Sequence, residues 1–399
     1  MSFRITELPQ SCPVCTAVSM KLFFELNAVP VHCNLLWPDA DSARGCPKGN
    51  MRLAFCSHCG FITNISFREK LMTYTQVYEN SLHFSPRFQH YAETQAQRLI
   101  EKYNLHDKHI IEVGCGKGDF LLLLCQLGHN HGCGFDPSYE PQELPIEVAN
   151  RVHFVQDFYS ERYADYKADL ICSRHTLEHI QYPTQLLKTI RNAIGGNQHT
   201  VLFFEVPNTT YTMQHLAIWD IIYEHCGYFT PTSLANAFVL SGFKVMEVIE
   251  DFDSQYLCIH ALPANGAGEL ESDYNITQPA TLQNEIVDFN RKFQTKVQTW
   301  QARLDVFNKK GQKVIVWGAG SKGVTFLNLF NIQNQIQYVV DINPRKQGKY
   351  IAGTGQQIVP PGFLVNYQPD VVLIMNPVYY AEIQSILDTL NLKANLVCC

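Results

Sequence analysis

One stretch, residues 109–120, constrains the fold more than any other part of the chain. A short apolar segment ends at Glu112, three glycines follow at Gly114, Gly116 and Gly118, and an apolar, helix-like run begins at once. Glycine adopts backbone conformations that other residues resist, and it lets a ligand approach the bare backbone. The stretch therefore predicts a strand, a tight turn and a helix, the repeating unit of parallel α/β sheets.

The acidic residues around this turn indicate which ligand it would bind. Asp136 follows about 20 residues later at the predicted end of a second parallel strand, where acids commonly bind a ribose diol. The G-x-G-x-G spacing differs in its last interval from the G-x-G-x-x-G of dinucleotide sites, and together with Glu112 it favours S-adenosylmethionine (SAM). A third strand is predicted to end at Asp157, which could hydrogen-bond an adenine amino group. The alternative is a strand-to-helix turn that binds no ligand.

Length and charge disfavour several classes of protein. A chain of 399 residues should hold two or three domains, and its net charge of −6 argues against a general nucleic-acid-binding surface. No run of about 18 apolar residues is present, and the N-terminus lacks the apolar core of a signal peptide. We therefore expect a cytoplasmic protein without a membrane partner, whose 14 cysteines bind metal or are simply buried.

The N-terminal cysteines form two C-x-x-C motifs, one at Cys12 and Cys15 and one at Cys56 and Cys59. Each motif can supply a pair of thiolates, and together they predict a closed tetrahedral Zn²⁺ site. A small segment with little predicted helix needs a crosslink such as a bound metal ion to fold, so the zinc is expected to be structural. Redox catalysis or plain burial of the thiols are the alternatives. Because the gap between the motifs is longer than in common zinc ribbons, four further residues remain possible ligands: His32, Cys33, Cys46 and His58.

Histidines and acids follow the later strands of the predicted sheet, at the edge where α/β folds bind ligands. His179 lies in a Leu-Glu-His-Ile segment after the fourth strand, and Glu224 and His225 follow the fifth. A Glu-His pair can supply a proton acceptor and the group that orients it, and histidine suits general-base work near neutral pH. Tyr78 lies in an aromatic connecting loop that could line a pocket. With 15 histidines in the chain, a structural role for any one of them is the alternative.

A second glycine turn lies near the C-terminus, beyond a linker at 263–268 and a long helix predicted at 282–308. Residues 318–323 match G-x-G-x-x-G, and Asp341 ends the next predicted strand about 20 residues later. This arrangement leaves an NAD-using oxidoreductase, or a bifunctional enzyme, as an alternative function. A Rossmann-like unit can instead keep the turn for structural reasons, or use the helix N-terminus to hold a substrate's phosphates.

Taken in order, these motifs resemble the sugar C-methyltransferases, which use SAM to methylate carbon in nucleotide-activated keto-deoxysugars. The resemblance spans nearly the whole chain. Besides the cysteine motifs, it is carried by residues 112–118, 177–180, 204–207, 223–229 and 318–320. It implies an α/β fold in three parts. These are a small zinc-binding N-terminal domain (1–75), a central class I SAM-methyltransferase domain with a Rossmann-like sheet (76–264), and a C-terminal second Rossmann-like domain (265–399).

The resemblance also implies roles for individual residues. His225 would be the catalytic base with Glu224 beside it, and Tyr78 and His179 would match further active-site residues of the family. Methylation of carbon requires removal of a proton next to a ketone, and the resulting enolate oxygen needs hydrogen-bond donors, for which Tyr78, His179 or Tyr228 are candidates.

Two further readings of the substrate stay open at this point. The residues on either side of the Glu-His pair differ from those of many relatives, so the substrate could be a different sugar or not a sugar. A zinc-containing methyltransferase of RNA or protein is the other reading, which the acidic net charge disfavours. The sequence gives no indication of the oligomeric state, and a monomer is possible.

Overall fold

A computed structural model of the chain describes residues 5–72, 78–266, 269–270, 279–330, 332 and 335–399. Parts of the predicted connecting loop (73–77) and of the predicted linker (267–268) lie outside these residues. The described strands are β1 (Thr6–Leu8), β2 (Met20–Pro30), β3 (Lys48–Cys56), β4 (Ile62–Asn64), β5 (His109–Val113), β6 (His131–Phe135), β7 (Val152–Val155), β8 (Leu170–Arg174), β9 (Val201–Pro207), β10 (Gly227–Tyr228), β11 (Phe243–Asp251), β12 (Tyr256–Pro263), β13 (Glu269–Leu270), β14 (Val314–Trp317), β15 (Tyr338–Val340), β16 (Gln357–Val359), β17 (Val371–Ile374) and β18 (Asn395–Cys398). The described helices are α1 (Ala40–Arg44), α2 (Pro86–Tyr103), α3 (Asp119–Gly128), α4 (Pro183–Ile194), α5 (Thr209–Gln214), α6 (Pro231–Val239), α7 (Pro279–Lys309), α8 (Ser321–Phe330), α9 (Leu364–Tyr367) and α10 (Tyr380–Thr389).

The central sheet confirms the α/β prediction. Its strand order is β13-β11-β12-β9-β8-β5-β6-β7. Strands β9, β8, β5, β6 and β7 are parallel, whereas β12 runs antiparallel to both β9 and β11. The parallel strands are buried and apolar because helices cover both faces of the sheet. The carboxyl ends of these five strands therefore meet at one edge, where the predicted site residues lie.

The N-terminal sheet is antiparallel, with the order β1-β2-β3-β4-β10. Its last strand, β10, comes from the chain that follows β9 of the central sheet. It pairs Gly227 with Thr63 and Tyr228 with Ile62. The pairing starts two residues after His225, so the cysteine-rich module fixes the backbone of the predicted Glu-His pair. The sequence pattern did not predict β10, because a strand of two residues has no periodicity to detect.

The C-terminal sheet has the order β16-β15-β14-β17-β18, and all of its strands are parallel. This is the predicted second Rossmann-like unit, and α8 begins directly after its glycine turn.

Helix α7 joins the N-terminal and C-terminal sheets into one hydrophobic core. Phe24 of β2 packs edge-on against Phe293 with a distance of 4.9 Å between ring centroids, and Phe289 lies 5.9 Å from the same ring. Each buried aromatic side chain contributes roughly 1.5–3 kcal/mol to folding. The two end modules therefore stabilise each other, and the central domain lies against both. Within the described part of the chain, no helix is both long and apolar enough to cross a membrane.

Candidate active site

A cavity of about 1010 Å³ lies where the three modules meet. Its walls are the carboxyl edge of the central sheet, the glycine turns of both Rossmann-like units, and residues of the N-terminal module and of the loop that follows it. Most of the residues proposed above for SAM binding and for catalysis border it, including Glu112, Asp136, Asp157, Glu224 and His225, whereas Gly118 does not.

The central glycine turn is shaped as its sequence requires. Gly114, Gly116 and Gly118 all have positive φ angles, between 55° and 84°. A Cβ at Gly118 would lie 2.4 Å from the ring of Phe154, and one at Gly114 would lie 2.1 Å from the Thr176 hydroxyl. A Cβ at Gly116 would meet no atom within 4 Å, so this residue turns bare backbone towards the cavity. The turn is therefore a cradle that a ligand can approach closely.

Asp136 closes the turn from the end of β6. One carboxylate oxygen accepts from the backbone N–H of Gly116 at 2.9 Å, and the other accepts from the N–H of Ser138 at 2.8 Å. The C-terminal unit repeats this arrangement, because Asp341 accepts from the N–H groups of Ala319 and Asn343, each at 2.8 Å. The two glycine turns are thus built alike, although only the central one has the spacing that favours SAM.

Asp157 follows β7, where the adenine end of a SAM molecule was predicted. Its carboxylate accepts from the Tyr163 hydroxyl at 2.6 Å and from the N–H of Phe158 at 2.8 Å, and it pairs with Arg162. The side chain of Phe158 is exposed and borders the cavity. An apolar ring beside a hydrogen-bond acceptor is a suitable surface for an adenine base.

Glu112 is buried at the end of β5, and one of its carboxylate oxygens accepts from the N–H of Leu121 in α3 at 3.0 Å. Burial raises the pKa of Glu112 to about 8, although the guanidinium of Arg174 and the bond from Leu121 act in the opposite direction. The residue holds the first turn of α3 in place behind the glycine turn, in addition to bordering the cavity.

The two C-x-x-C motifs meet in the N-terminal module. Cys12 lies 3.5 Å from Cys59 and Cys15 lies 3.5 Å from Cys56, between sulfur atoms, and the four thiols form one compact group. A tetrahedral Zn²⁺ held at about 2.3 Å from each sulfur needs sulfur atoms roughly 3.8 Å apart, so this donor set fits the ion. Of the substitutes considered, Cys33 lies elsewhere: its backbone N–H donates to Glu224 at 2.8 Å.

The carboxylate of Glu224 turns away from His225 and towards the N-terminal module. It accepts from the N–H of Cys33 at 2.8 Å and from the hydroxyl of Tyr78 at 2.9 Å, and His32 lies 3.5 Å away. Burial opposes the charge of Glu224, but His32, His179 and Tyr78 together hold its pKa below the ordinary value. Glu224 and His225 are adjacent in the chain, but the side chain of Glu224 makes its hydrogen bonds with Tyr78 and with Cys33 of the N-terminal module.

His225 and His179 face each other at the centre of this edge. Their ring centroids are 5.0 Å apart, and Nδ1 of His179 donates to the backbone carbonyl of Glu224 at 2.9 Å. Burial, followed by the positive potential of His179, lowers the pKa of His225 to about 4. His225 is therefore neutral at physiological pH and able to accept a proton. Tyr228 does not contribute a donor here, because its hydroxyl donates to the carbonyl of Ile222 at 3.0 Å.

The structure adds a buried charge network that the sequence reasoning missed. Glu205 accepts from Arg174 at 3.0 Å and from the Tyr91 hydroxyl, and Nε2 of His175 lies 2.8 Å from it. Burial opposes the charge of Glu205, but Arg174 and His175 lower its pKa to about 2. Glu178, in the Leu-Glu-His-Ile segment, belongs to the same edge and is also buried. The sequence does contain one sign of this network: charged residues stand at the ends of otherwise apolar strands. Such residues are seldom fully buried without a partner of opposite charge.

The C-terminal glycine turn borders the same cavity from the opposite side, with Gly318 and Gly320 in its wall. Beside it, the buried ammonium of Lys346 donates to the side-chain oxygen of Asn34 at 3.3 Å and to the carbonyl of Ala319 at 3.4 Å. Lys322, the second residue of α8, pairs with Asp220. This side of the cavity therefore combines a helix N-terminus with two cationic side chains.

Comparison with known proteins covers most of the chain. Residues 88–248 match a family model described as a methyltransferase domain, and residues 268–397 match one described as a C-methyltransferase C-terminal domain. The C-methyltransferase NovU of Streptomyces niveus is 24% identical over 395 residues, which cover 93% of this chain and 90% of that protein.

Solved structures of other methyltransferases resemble part of the chain. A methyltransferase of calicheamicin biosynthesis, bound to S-adenosylhomocysteine, is 17% identical over 43% of this chain and 54% of its own, with a TM-score of 0.34. Magnesium protoporphyrin IX methyltransferase from Synechocystis, bound to the same ligand, is 16% identical over 45% of this chain and 84% of its own, with a TM-score of 0.35.

Proposed function

Because the chain belongs to the SAM-dependent C-methyltransferases, we propose that it methylates a carbon next to the ketone of a nucleotide-linked keto-deoxysugar. The observation that carries this proposal is the position of His225. A half-buried, neutral imidazole borders a cavity that the SAM-type glycine turn also borders. Transfer of a methyl group to carbon needs such a base, whereas an oxygen or nitrogen nucleophile carries its own lone pair.

The residues of the central turn fit SAM. Gly116 leaves bare backbone towards the cavity, Asp136 stands at the end of β6 where a ribose is bound in α/β folds, and Asp157 with Phe158 suits the adenine. Bound SAM supplies the electrophilic methyl group. The chain's own part is to hold the sugar carbon in line with that group.

The proton is handled by residues that reach the cavity from two modules. His225 accepts the proton from the carbon next to the ketone, and the electron pair moves onto the ketone oxygen to form an enolate. Tyr78 and His179 are then the candidate donors to that oxygen, because both border the cavity and Tyr228 is not among its lining residues. The hydroxyl of Tyr78 donates to Glu224 at 2.9 Å in this structure, so it must turn from Glu224 to the enolate oxygen to serve as the donor.

The nucleotide end of the substrate, with its phosphates, is assigned to the C-terminal side of the cavity. The start of α8, Lys322 and Lys346 suit the phosphates of an activated sugar, because helix N-termini and ammonium groups favour anions. The C-terminal glycine turn then serves the substrate, in keeping with the match of this region to a C-methyltransferase domain. The G-x-G-x-x-G spacing and Asp341 would also suit NAD, but the match of this region to a C-methyltransferase domain supports the substrate role.

The four thiols of the N-terminal module are proposed to hold one structural Zn²⁺. Their compact grouping supports this assignment, and a reducing compartment such as the cytoplasm suits thiolate ligands. The metal site is remote from the chemistry, but β4 of the same module pairs with β10 and so positions the segment that carries His225.

The proposal is tested by following the methyl group itself. The purified protein is incubated with SAM carrying a ¹³C methyl group and with nucleotide-linked 3-keto and 4-keto deoxysugars, and the products are examined by two-dimensional carbon NMR. The expected product carries the labelled methyl on a ring carbon next to the ketone. Label on an oxygen or nitrogen, or transfer only to acceptors that are not sugars, would contradict the proposal.

A further inference from the structure

Among the described residues, four buried carboxylates stand at the active edge of the central sheet; that of Glu112 accepts from Leu121, and the hydrogen bonding of the other three is unequal. Glu205 is satisfied by Tyr91, Arg174 and His175, and Glu224 is satisfied by Cys33 and Tyr78. Glu178 is 2% exposed, yet neither of its carboxylate oxygens has a hydrogen-bond partner among the described residues. A buried carboxylate left in this state is costly, so its retention requires a positive charge in at least one state of the enzyme.

The groups around Glu178 identify which charge that is. Nδ1 of His175 lies 3.7 Å from one carboxylate oxygen, and although burial opposes its charge, Glu178 and Glu205 raise the pKa of His175 to about 9; this one cation is shared, however, with Glu205, which lies 2.8 Å from its other nitrogen. His179 and His225 form a compact group with Glu178, in which one nitrogen or oxygen atom of each lies within 4.8 Å of the others. A proton taken up by the His179–His225 pair would therefore appear directly beside Glu178.

We propose that Glu178 is the positioning residue for the base: its carboxylate lies beside the imidazolium that forms at His225, and it stabilises that cation while the enolate exists. This inference rests on the proposed function. In the step concerned, the substrate C–H bond breaks, its electron pair moves to the ketone oxygen, and the proton forms an N–H bond on His225. The proton leaves to solvent after methyl transfer. Glu178 acts through His225 and does not touch the substrate in this step.

The surrounding charges are consistent with this role. Burial opposes the charge of Glu178, but His175 and His179 hold its pKa below the ordinary value, so the carboxylate is ionised before the reaction. The charged or titratable groups that influence His225 are His179, Glu178, Glu224 and Asp220, and those that influence Glu178 are His175, His179 and His225. The thiol of Cys226 contacts only the backbone carbonyl of Glu178, at 3.5 Å.

Glu178 therefore offers the active-site histidines an ionised carboxylate whose oxygens are not already hydrogen-bonded. It acts most strongly once the proton has arrived, which is the behaviour that lowers a barrier without tightening substrate binding. A residue that merely filled space would show no such dependence on charge.

The test replaces the charge and keeps the shape. Glu178→Gln should slow methyl transfer and α-proton exchange at pH 7.5 by about 10- to 100-fold, less than the 10²–10⁴-fold typical for losing a general base outright. The Michaelis constant for the sugar and the affinity for S-adenosylhomocysteine should stay unchanged. Glu178→Asp, which keeps the charge, should recover part of the rate. The matched control is Glu79→Gln, a buried carboxylate that pairs with Arg345 and Asn343 and is not among the residues lining the cavity.

The pH dependence separates an electrostatic role from a packing role. Without the carboxylate the imidazolium is less stable, so the pKa of His225 falls further, by about 1–3 units for an opposite charge removed at this range. The acid limb of the rate profile should therefore move to lower pH in Glu178→Gln while the plateau drops. An unchanged acid limb, or a raised Michaelis constant with an unchanged plateau, would overturn the proposal.

A measurement without sugar substrate keeps this inference separate from the proposed function. In the complex with S-adenosylhomocysteine, the histidine carbon resonances are followed by NMR from pH 8 to 4.5, with His225→Asn used for assignment. The His225 resonance should begin to titrate in the wild type and not in Glu178→Gln. Identical titration in both proteins, or a second metal ion per chain that Glu178→Gln loses, would contradict the role whatever the enzyme methylates.

Discussion

At the scale of single residues, neighbours in sequence serve different parts of this site. Glu224 and His225 are adjacent, yet the carboxylate of Glu224 binds Cys33 and Tyr78 while the imidazole of His225 faces His179. The two residues follow a turn closed by a hydrogen bond from the N–H of His225 to the carbonyl of Ile222 at 3.2 Å, so adjacency in sequence does not imply contact of the side chains. The acid that does lie with His225 is Glu178, 47 residues earlier in the chain, and only the folded sheet edge brings the two together.

The residue that tests the cofactor assignment is Asp136. Asp136→Ala should weaken SAM binding by about 1.5–3 kcal/mol, the range for losing a hydrogen bond to a charged group, with some of the loss arising from a loosened turn at Gly116. The matched control is Asp341→Ala, which removes the same carboxylate from the C-terminal turn and should leave SAM affinity unchanged. Calorimetry on both variants decides the matter. If the two substitutions weakened SAM binding equally, the assignment of SAM to the central unit would be contradicted.

At the scale of elements, the regular parts of the fold could be predicted and the connecting parts could not. Strands β5 to β9, β14 and β17 were predicted because buried parallel strands are continuous apolar runs, and both glycine turns were found from their spacing. Strand β10 and the inward direction of Glu178 could not be found, because a two-residue strand and a single side-chain rotation leave no periodic trace. Strand β10 connects the cysteine-rich module to the active edge, and Glu178 lies beside the histidines of that edge.

The element prediction concerns the cysteine-rich module. Cys56→Ser should lower the zinc content and the melting temperature together, because thiolate ligation contributes directly to folding. The loss should reach the central domain, since Thr184 of α4 and Asn236 of α6 donate to backbone carbonyls of this module. Cys46→Ser is the control, because Cys46 is a buried thiol of the same module outside the four-thiol group. A folded, active and metal-free Cys56→Ser protein would refute the assignment.

At the scale of the whole molecule, three sheets converge on one cavity, and each supplies a different function to the proposed reaction. The central sheet holds the glycine turn and His225, the N-terminal module fixes β10 and Glu224, and the C-terminal unit closes the far side with Lys346. Helix α7 binds the two outer modules into one core, so removal of the C-terminal unit would expose that core. Point substitutions are therefore the appropriate test of the assembled site.

The most direct measurement is proton exchange by the intact enzyme without methyl transfer. The protein is incubated in heavy water with S-adenosylhomocysteine and the keto-sugar, and deuterium at the carbon next to the ketone is followed by NMR. Wild type should incorporate deuterium, and His225→Asn should do so about 10²–10⁴-fold more slowly while still binding S-adenosylhomocysteine, because asparagine cannot accept the proton. Exchange by His225→Asn at the wild-type rate would contradict the account and move the role of base to Tyr78 or His179.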